Sequence, residues 1–349
     1  MVRVVLFGLG PIGAGIARLV ASRSDLEIVG AIDVDPQKVG KDLGDVIGLD
    51  REVGVSVSDN AKEVLKSAHP DVVIQATGSH LEQVAPQIRQ VLESGSSLVS
   101  TCEELSFPFA TNLALASELD HLAKQHGVAL LGTGVNPGFA MDTLPLSLTA
   151  VSQRVDSVRV TRIQDAAKRR LPLQRKVGAG LSPEQFDERV KAGTVRHVGL
   201  PESVYAIAAA IGWKVDSLDD HIEPVIATSE TRSSDIVVAP GQVLGVKQVT
   251  KGMVGGQPLI ELELRMYLGA PNPHDHVVVE GLPRVEVTVH EGTTGDLATA
   301  AIIVNAIGSV LRAESGLRVM ADIPLVHYRR PEVGMPSRRS ARHRREFAF

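Results

Sequence analysis

The stretch VRVVLFGLGPIG, residues 2–13, decides the fold class of this chain. An apolar run at 2–7 leads directly into a G-x-G-x-x-G pattern, which opens a segment with helical apolar spacing at 11–21. A strand, these glycines and a helix, in that order, are the fingerprint of a dinucleotide-binding unit. The sequence therefore predicts a Rossmann-type, doubly wound parallel sheet at the N-terminal end.

The glycine pattern supplies the first predicted cofactor-binding residues. Gly8 permits the tight turn, Gly10 lets a pyrophosphate approach the backbone, and Gly13 lets helix and strand pack closely. Pro11 and Ile12 belong to the same stretch, where the start of the helix offers N–H groups and a partial positive charge to the phosphates.

An acidic residue at the expected distance indicates which dinucleotide is preferred. Asp33 ends the second predicted strand, 20 residues after Gly13. A carboxylate there accepts hydrogen bonds from the adenosine ribose hydroxyls and repels a 2′-phosphate, so NAD is favoured. Lys38 and Lys41 lie close enough in sequence to leave use of NADP open.

Strand–helix alternation continues to about residue 150 and predicts a first domain at 1–150. Further strands are expected at 26–33, 71–75, 97–101 and 128–131, with helices at 61–68, 80–94 and 110–126. The loop after the 71–75 strand lies at a carboxyl end of the sheet, where the nicotinamide side of a dinucleotide is expected. Its residues complete the predicted cofactor set: Ala76, Thr77, Gly78 and Ser79.

The pattern changes near residue 150. Residues 151–294 predict an α+β substrate and dimerisation domain with a mainly antiparallel sheet and helices on one face. A long apolar helix at 295–313 is expected to pack back on the first domain. Residues 329–349 hold seven Arg and two Glu, so this basic tail, which we expect to be mobile, carries +5 and the rest of the chain −10.

Composition excludes several classes of function. Eleven aromatic residues in 349 and an acidic body argue against nucleic-acid binding, and no run of about 18 apolar residues predicts a membrane span. The single cysteine, Cys102, and the absence of clustered Cys and His predict no disulfide and no metal site. The chain starts directly on a strand instead of a signal peptide, so a cytoplasmic location is expected.

Three segments carry candidate chemistry. Glu103 and Glu104 follow the 97–101 strand; in an extended chain one would face the cofactor cleft, and the other would cap a helix near Pro108. Asn136 and Phe139 lie in a Gly- and Pro-containing turn, where they are placed to line a pocket. His197 precedes a helix of the second domain. Cys102 is expected to be buried and apolar, because no base accompanies it.

At this point the sequence resembles a known family. The segments that carry the resemblance are, in order, GLGPIG (8–13), GAIDVDPQKVGKDLG (30–44), TCEELSFP (101–108), LLGTGVNPGFAMDTLP (130–145), RHVGLPES (196–203) and GLRVMADIPL (316–325). Together they resemble the 2,4-diaminopentanoate dehydrogenase family and its NAD(P)-dependent amine dehydrogenase relatives over residues 1 to about 325. The architecture is more distantly similar to dihydrodipicolinate reductase and homoserine dehydrogenase.

The resemblance implies reversible oxidative deamination of an amine, which in reverse is reductive amination of a ketone or aldehyde with ammonium. It places the catalytic carboxylate in the glutamate pair, and we choose Glu104 over Glu103, as acid/base and as stabiliser of an iminium. Phe139 and Met141 would form an apolar wall, with Asn136, His197 and Thr299 as further pocket residues.

The substrate and some alternatives stay open. The loop AAKRRLPLQRKVGAG, residues 166–180, is more basic than its counterpart in the family, so diaminopentanoate itself is not assumed. A dihydrodipicolinate reductase-like or homoserine dehydrogenase-like enzyme, or a dinucleotide-binding sensor without turnover, remains possible on the residues alone. A homodimer is expected, since cyclic dimers are the commonest assemblies.

Overall fold

The structure is a computed structural model, which describes residues 1–330. The chain divides into two compact units, one formed by residues 1–135 and the segment from 295 onwards, the other by residues 136–294. The sequence prediction placed the boundary at 150, whereas in the structure residues 136–150 belong to the second unit. Most of the basic tail predicted at 329–349 lies outside the described residues.

The elements of both units are numbered in chain order. The strands are β1 (Val2–Phe7), β2 (Leu26–Ile32), β3 (Val57–Ser58), β4 (Val72–Gln75), β5 (Ser97–Ser100), β6 (Ala129–Gly132), β7 (Arg154–Asp165), β8 (Ser217–Ile226), β9 (Thr231–Arg232), β10 (Val237–Val238), β11 (Val243–Val254), β12 (Gln257–Tyr267), β13 (His274–Leu282), β14 (Val285–His290) and β15 (Gly316–Arg318). The helices are α1 (Pro11–Ala21), α2 (Leu43–Ile47), α3 (Ala61–Ala68), α4 (Leu81–Glu93), α5 (Leu113–Gln125), α6 (Thr143–Thr149), α7 (Leu171–Lys176), α8 (Pro183–Lys191), α9 (Leu200–Ile211) and α10 (Gly295–Val310).

The first unit is built on a seven-stranded parallel sheet in the order β15-β6-β5-β4-β1-β2-β3. This order and direction confirm the predicted Rossmann-type sheet. Strands β4, β5 and β6 are buried at every position, as expected for parallel strands covered on both faces. Polar loops at the carboxyl ends of these strands therefore lie along one edge of the sheet.

Two apolar layers cover the faces of this sheet. Side chains of α1, α2 and α10 pack on one face, and those of α3, α4 and α5 pack on the other. Ile303 and Ile307 of α10 join Ile16 of α1 in the first layer, so the C-terminal helix completes the core that the N-terminal strands begin.

The second unit is an α+β structure with a six-stranded sheet in the order β14-β13-β7-β12-β11-β8. All neighbours are antiparallel except β7 and β12, which are parallel, so the prediction of a mainly antiparallel sheet is confirmed. Alternate residues of β7 are buried beneath the helices; Val158 and Val160 belong to the same apolar cluster as Phe186 and Val204.

Several elements were not predicted from the sequence. Strand β8 begins with the polar run SLDDH and lies at the sheet edge with no buried residue, so it lacks the alternation that marks a half-buried strand. Helix α7 has six residues and β15 has three, which is too short for periodicity to reveal them. Helix α10 ends at Val310 instead of residue 313.

Two features are absent from residues 1–330. None of the helices there is long and apolar enough to cross a membrane. No group of three or more His, Cys, Asp or Glu side chains in the same range could hold a metal ion.

Candidate active site

The three glycines of the first loop are required for different geometric reasons. Gly8 has a φ of +94°, and an added Cβ would lie 2.5 Å from the carbonyl oxygen of Ala76. A Cβ on Gly13 would overlap the carbonyl oxygen of Gly8. Around Gly10, by contrast, nothing described lies within 4 Å of where a Cβ would be. The open space at Gly10 leaves the backbone accessible there, as the predicted contact with a pyrophosphate requires.

The start of α1 is suited to an anion. Gly10 is its N-cap residue, makes no side-chain cap, and is followed by Pro11, and the first turn holds no acidic residue. The partial positive charge of the helix N-terminus is therefore not offset by a side chain of that turn.

Asp33 is held at the end of β2 by three donors. Its Oδ2 accepts from the Leu9 N–H at 2.7 Å and from Lys38 Nζ at 3.2 Å, and its Oδ1 accepts from the Asp35 N–H at 2.9 Å. Burial raises the pKa of Asp33, but these hydrogen bonds outweigh it and leave the pKa below its ordinary value. The residue is therefore an anion at neutral pH, oriented against the glycine loop.

A polar chain fixes the loop at 76–79. Thr77 Oγ1 donates to Gln87 Oε1 at 2.5 Å, which also accepts from Gln75 Nε2 at 2.7 Å. Ser100 Oγ donates to Gln75 Oε1 at 2.9 Å, so the ends of β4 and β5 are tied to the same helix side chain. Gln87 was missed by sequence reasoning, because nothing in a helical pattern distinguishes it from a surface glutamine.

The glutamate pair opens a short 3-10 helix, Glu103–Ser106, directly after β5. The prediction of an extended chain at this point is wrong, because the backbone turns at once. Gly132 on β6 makes room for the turn: a Cβ there would lie 2.5 Å from the carbonyl carbon of Leu105.

Glu104 points to the start of α4. Its Oε2 accepts from the Leu81 N–H at 2.7 Å, and its Oε1 lies 2.7 Å from His80 Nδ1. Its own N–H donates to the Ser79 carbonyl at 3.3 Å, so the residue is tied to the predicted cofactor loop. The helix expected near Pro108 begins only at Leu113.

Cys102 is a buried structural residue. It is 1 % exposed, and its Sγ donates to the Ser79 carbonyl at 3.3 Å. Burial raises the pKa of the thiol to about 12, and the negative charges of Glu103 and Glu104 act in the same direction. A thiol that stays protonated is not a nucleophile at neutral pH, as the sequence interpretation expected.

The second unit holds its own group of predicted residues. His197 Nε2 lies 3.1 Å from the backbone oxygen of Asn136, and Asn136 Nδ2 donates to Met141 Sδ at 3.3 Å. Burial and the charge of Lys176 lower the pKa of His197 to about 4, so the ring is neutral at pH 7. Nε2 also lies 3.1 Å from Nδ2 of Asn136, so this nitrogen either donates to the carbonyl or accepts from the amide, and in both tautomers the neutral ring keeps one acceptor nitrogen.

Apolar and polar support surround this group. Met141 is fully buried, and Phe139 is partly buried against the same core. Asp142 accepts from the Gly138 N–H at 2.7 Å and from Ser203 Oγ at 2.9 Å, while burial raises its pKa.

Two buried polar atoms near the end of β6 lack a hydrogen-bond partner within residues 1–330: Oγ1 of Thr133 in the first unit and Oδ1 of Asn136 in the second. Such atoms are suited to a ligand. Thr299, the last predicted pocket residue, accepts at 3.4 Å from the Val135 N–H in the first unit.

Comparison with known proteins adds the family context. Residues 139–334 match the model of the 2,4-diaminopentanoate dehydrogenase C-terminal domain, and residues 2–102 match that of the dihydrodipicolinate reductase N-terminus. The chain is 30% identical to a 2,4-diaminopentanoate dehydrogenase of Acetoanaerobium sticklandii, over 93% of this chain and 94% of that protein. It is 28% identical to an amine dehydrogenase of Streptomyces virginiae, over 98% of this chain and all of the other.

A solved structure gives the same relationship. The fold matches an amine dehydrogenase from Mycobacterium smegmatis with a TM-score of 0.84 and 31% sequence identity, over 94% of this chain and 97% of that one. The similarity therefore extends over both units and not over the nucleotide-binding region alone.

Proposed function

The chain belongs to the 2,4-diaminopentanoate dehydrogenase family and is an NAD(P)-dependent oxidoreductase of the class that acts on CH–NH2 groups; from this premise we propose that Glu104 is its catalytic acid/base. The reaction would be the reversible oxidative deamination of a small amine to a ketone or aldehyde and ammonium. The observation that carries the proposal is the Glu104 carboxylate itself. It is fixed by two hydrogen bonds at the carboxyl end of β5, beside the loop at 76–79.

The residues present fit the dinucleotide. The open backbone at Gly10 and the uncompensated start of α1 would hold the pyrophosphate, and the anionic Asp33 would bind the ribose hydroxyls. Pro11, Ile12 and the loop of Ala76, Thr77, Gly78 and Ser79 complete the proposed contacts. When bound, the nicotinamide supplies the hydride acceptor.

We propose that Asp33 makes NAD the preferred form, since its charge repels a 2′-phosphate. Asp33→Asn keeps an acceptor for the Leu9 N–H, removes the charge and releases Lys38. We expect the ratio of kcat/KM for NADPH over NADH to rise by about tenfold, or roughly 1.4 kcal/mol. Asp35→Asn, which also contacts Lys38 but not Leu9, is the control. An unchanged ratio in Asp33→Asn would contradict this role.

The proposed chemistry of Glu104 is proton transfer and charge stabilisation. In deamination, its carboxylate takes a proton from the substrate ammonium, which frees the nitrogen lone pair. The carboxyl group passes this proton to solvent, and the restored carboxylate faces the iminium that forms as hydride leaves the carbon, and stabilises its positive charge. Water adds to the iminium carbon and gives up a proton to the carboxylate, which returns it to the nitrogen. The C–N bond then breaks as the new hydroxyl group gives its proton to the departing ammonia, so that ketone, ammonium, reduced cofactor and the one proton released to solvent are the products.

Glu103 is the alternative within the pair, and a matched substitution separates the two. Glu104→Gln keeps an oxygen that can accept from the Leu81 N–H, so the start of α4 is conserved while the base is lost. We expect kcat to fall at least 100-fold with NADH binding unchanged. If Glu103→Gln gives this result instead, the assignment moves to Glu103.

The substrate contacts are proposed to be Asn136, Phe139, Met141, His197 and Thr299. His197, neutral at pH 7, would offer a hydrogen-bond acceptor without a charge, and Phe139 would offer apolar surface. Because Met141 is fully buried, it would act by supporting Asn136, to which its sulfur is hydrogen-bonded.

A substrate panel tests the proposed reaction. The protein is incubated with NADH or NADPH, excess ammonium and separate ketones or aldehydes, among them cyclohexanone, short aldehydes and a 2-amino-4-oxo acid. Loss of absorbance of the reduced cofactor that requires both ammonium and the carbonyl compound is the expected result. Failure with every carbonyl compound, together with reduction of a cyclic imine, would instead support a dihydrodipicolinate reductase-like activity.

We propose that the chain forms a homodimer through the six-stranded sheet. Helices α6–α9 pack on one face of this sheet, while the other carries ion pairs such as Lys247–Glu223 and Lys251–Glu261. Light scattering after size exclusion should give the mass of two chains; the mass of one chain would refute the proposal.

We further propose that the enzyme acts in the cytoplasm. The chain has one cysteine, and that residue is buried, so its stability does not depend on an oxidising compartment. Cell fractionation with an antibody should find the protein with cytoplasmic markers, and recovery with secreted proteins would contradict this location.

A further inference from the structure

We propose that His80 is the positioning residue for Glu104: its Nδ1–H donates to Oε1 and holds the carboxylate in the direction needed for proton transfer. This inference rests on the proposed role of Glu104. His80 was not singled out in the sequence, because a histidine at the start of a helix has no pattern of its own.

The hydrogen bonding around the carboxylate supports this role. Each oxygen has a separate donor at 2.7 Å, Leu81 N–H for Oε2 and His80 Nδ1 for Oε1. The Leu81 donor is fixed by the helix backbone, and one hydrogen bond leaves a carboxylate free to turn about it. The second donor, from His80, removes that freedom.

The position of His80 argues against a role in capping alone. His80 is the N-cap residue of α4, with φ −102° and ψ 125°, yet its side chain makes no cap hydrogen bond. Glu104 from the neighbouring strand end binds the Leu81 N–H of the first turn instead. The ring is thus directed to Glu104, and a ring that only served the helix would bind the helix backbone.

Exposure places the pair at the edge of the site. The Glu104 side chain is 22 % exposed and that of His80 is 49 % exposed. Within residues 1–330, no other hydrogen bond to the His80 ring is formed, so its removal leaves no second group without a partner. A loss of turnover on substitution would therefore trace to Glu104.

Substitutions of similar size separate positioning from packing. His80→Asn keeps an N–H donor near the place of Nδ1, and His80→Leu does not. We expect kcat for reductive amination to fall about 10–100-fold in His80→Leu and to stay within about threefold of wild type in His80→Asn. The KM for NADH should be unchanged in both. His126→Leu, at the exposed end of α5, is the control and should behave as wild type.

Equal kcat values in His80→Leu and His80→Asn would show that the donor is irrelevant and would overturn the inference. If His80→Leu does not bind NADH, His80→Ala replaces it as the donor-free variant. Full activity of His80→Leu together with an inactive Glu104→Gln would refute the positioning role of His80 but not the catalytic role of Glu104. Full activity of Glu104→Gln would refute both roles.

Discussion

At the scale of single residues, the glycines of the loop at 8–13 differ in what requires them. Gly8 and Gly13 lack room for a Cβ because the chain packs against itself there, whereas Gly10 faces open space. The same residue type thus serves the fold at two positions, and at the third it leaves room for the proposed ligand.

This difference gives a direct prediction. Gly10→Ala should leave the melting temperature within about 2 °C of wild type and weaken NADH binding by at least about tenfold, because the new methyl group fills the room left for the proposed ligand. Gly13→Ala should lower the melting temperature markedly, because its methyl group meets the Gly8 carbonyl. Calorimetry and fluorescence titration measure the two effects. Equal loss of stability in both variants would contradict this reading.

At the scale of elements, β7 and β13 carry two ion pairs in very different surroundings. Arg162–Asp275, at 2.5 Å, is almost fully buried, and Asp275 also accepts from the N–H and Oγ1 of Thr293. Arg159–Glu280, at 3.0 Å, joins the same two strands on the exposed face. The buried pair holds the loop after β14 to the sheet.

The two pairs therefore form a matched test. Asp275→Asn leaves the buried guanidinium without its counter-charge, which should lower the free energy of unfolding by about 3–5 kcal/mol. Glu280→Gln, on the exposed face, should lower it by less than about 1 kcal/mol. The single tryptophan, Trp213, packs on the core of the second unit and reports urea unfolding there. Similar losses in both variants would show that burial does not set the strength of these pairs.

A second element-scale feature is the hydrogen bonding of Asp42 at the start of α2. Its carboxylate accepts from four backbone N–H groups, those of Gly44, Val53, Gly54 and Val55. The hydrogen bond from Val53, with the other three, holds the pKa of Asp42 below its ordinary value. A carboxyl group with a lowered pKa in the folded state stabilises the fold above the unfolded-state pKa, about 3.9, and loses this effect as the pH falls through the folded-state pKa.

Asp42→Asn should therefore lower the melting temperature by several degrees at pH 7. The gap from wild type should narrow below about pH 4, as the wild-type carboxylate is protonated. Melting curves over a pH series measure it, and Asp45→Asn, exposed on the same helix, is the control. A gap that does not change with pH would refute the electrostatic account.

At the scale of the whole molecule, the features predicted correctly from the sequence are those that depend on residues close together in the chain. The glycine loop, Asp33 and the parallel strands of the first unit follow from short-range patterns. The parallel pairing of β7 with β12 and the contact of His80 with Glu104 join residues that are distant in sequence or carry no pattern, so they could not be read from one chain. Strand β8 was missed because its edge position permits a polar sequence.

The C-terminal end of the chain carries an excess of positive charge. The matched C-terminal domain ends at residue 334, and residues 335–349 contain five Arg and one Glu. Their removal changes the formal net charge from −5 to −9, so the shortened chain should elute later from an anion exchanger. We expect kcat/KM to stay within about twofold of wild type, and a larger loss would assign these arginines a part in the reaction.

The return of the chain to the first unit has a consequence for its synthesis. Strand β15 and helix α10 leave the ribosome after all of the second unit, at about 5–20 residues per second. For roughly 10–40 s after β6 is synthesised, the nascent β1–β6 sheet therefore lacks its last strand and the helix that covers part of one face. The unit whose synthesis begins first is therefore completed last, and until α10 is made the apolar sheet face that it covers stays open to other apolar surfaces.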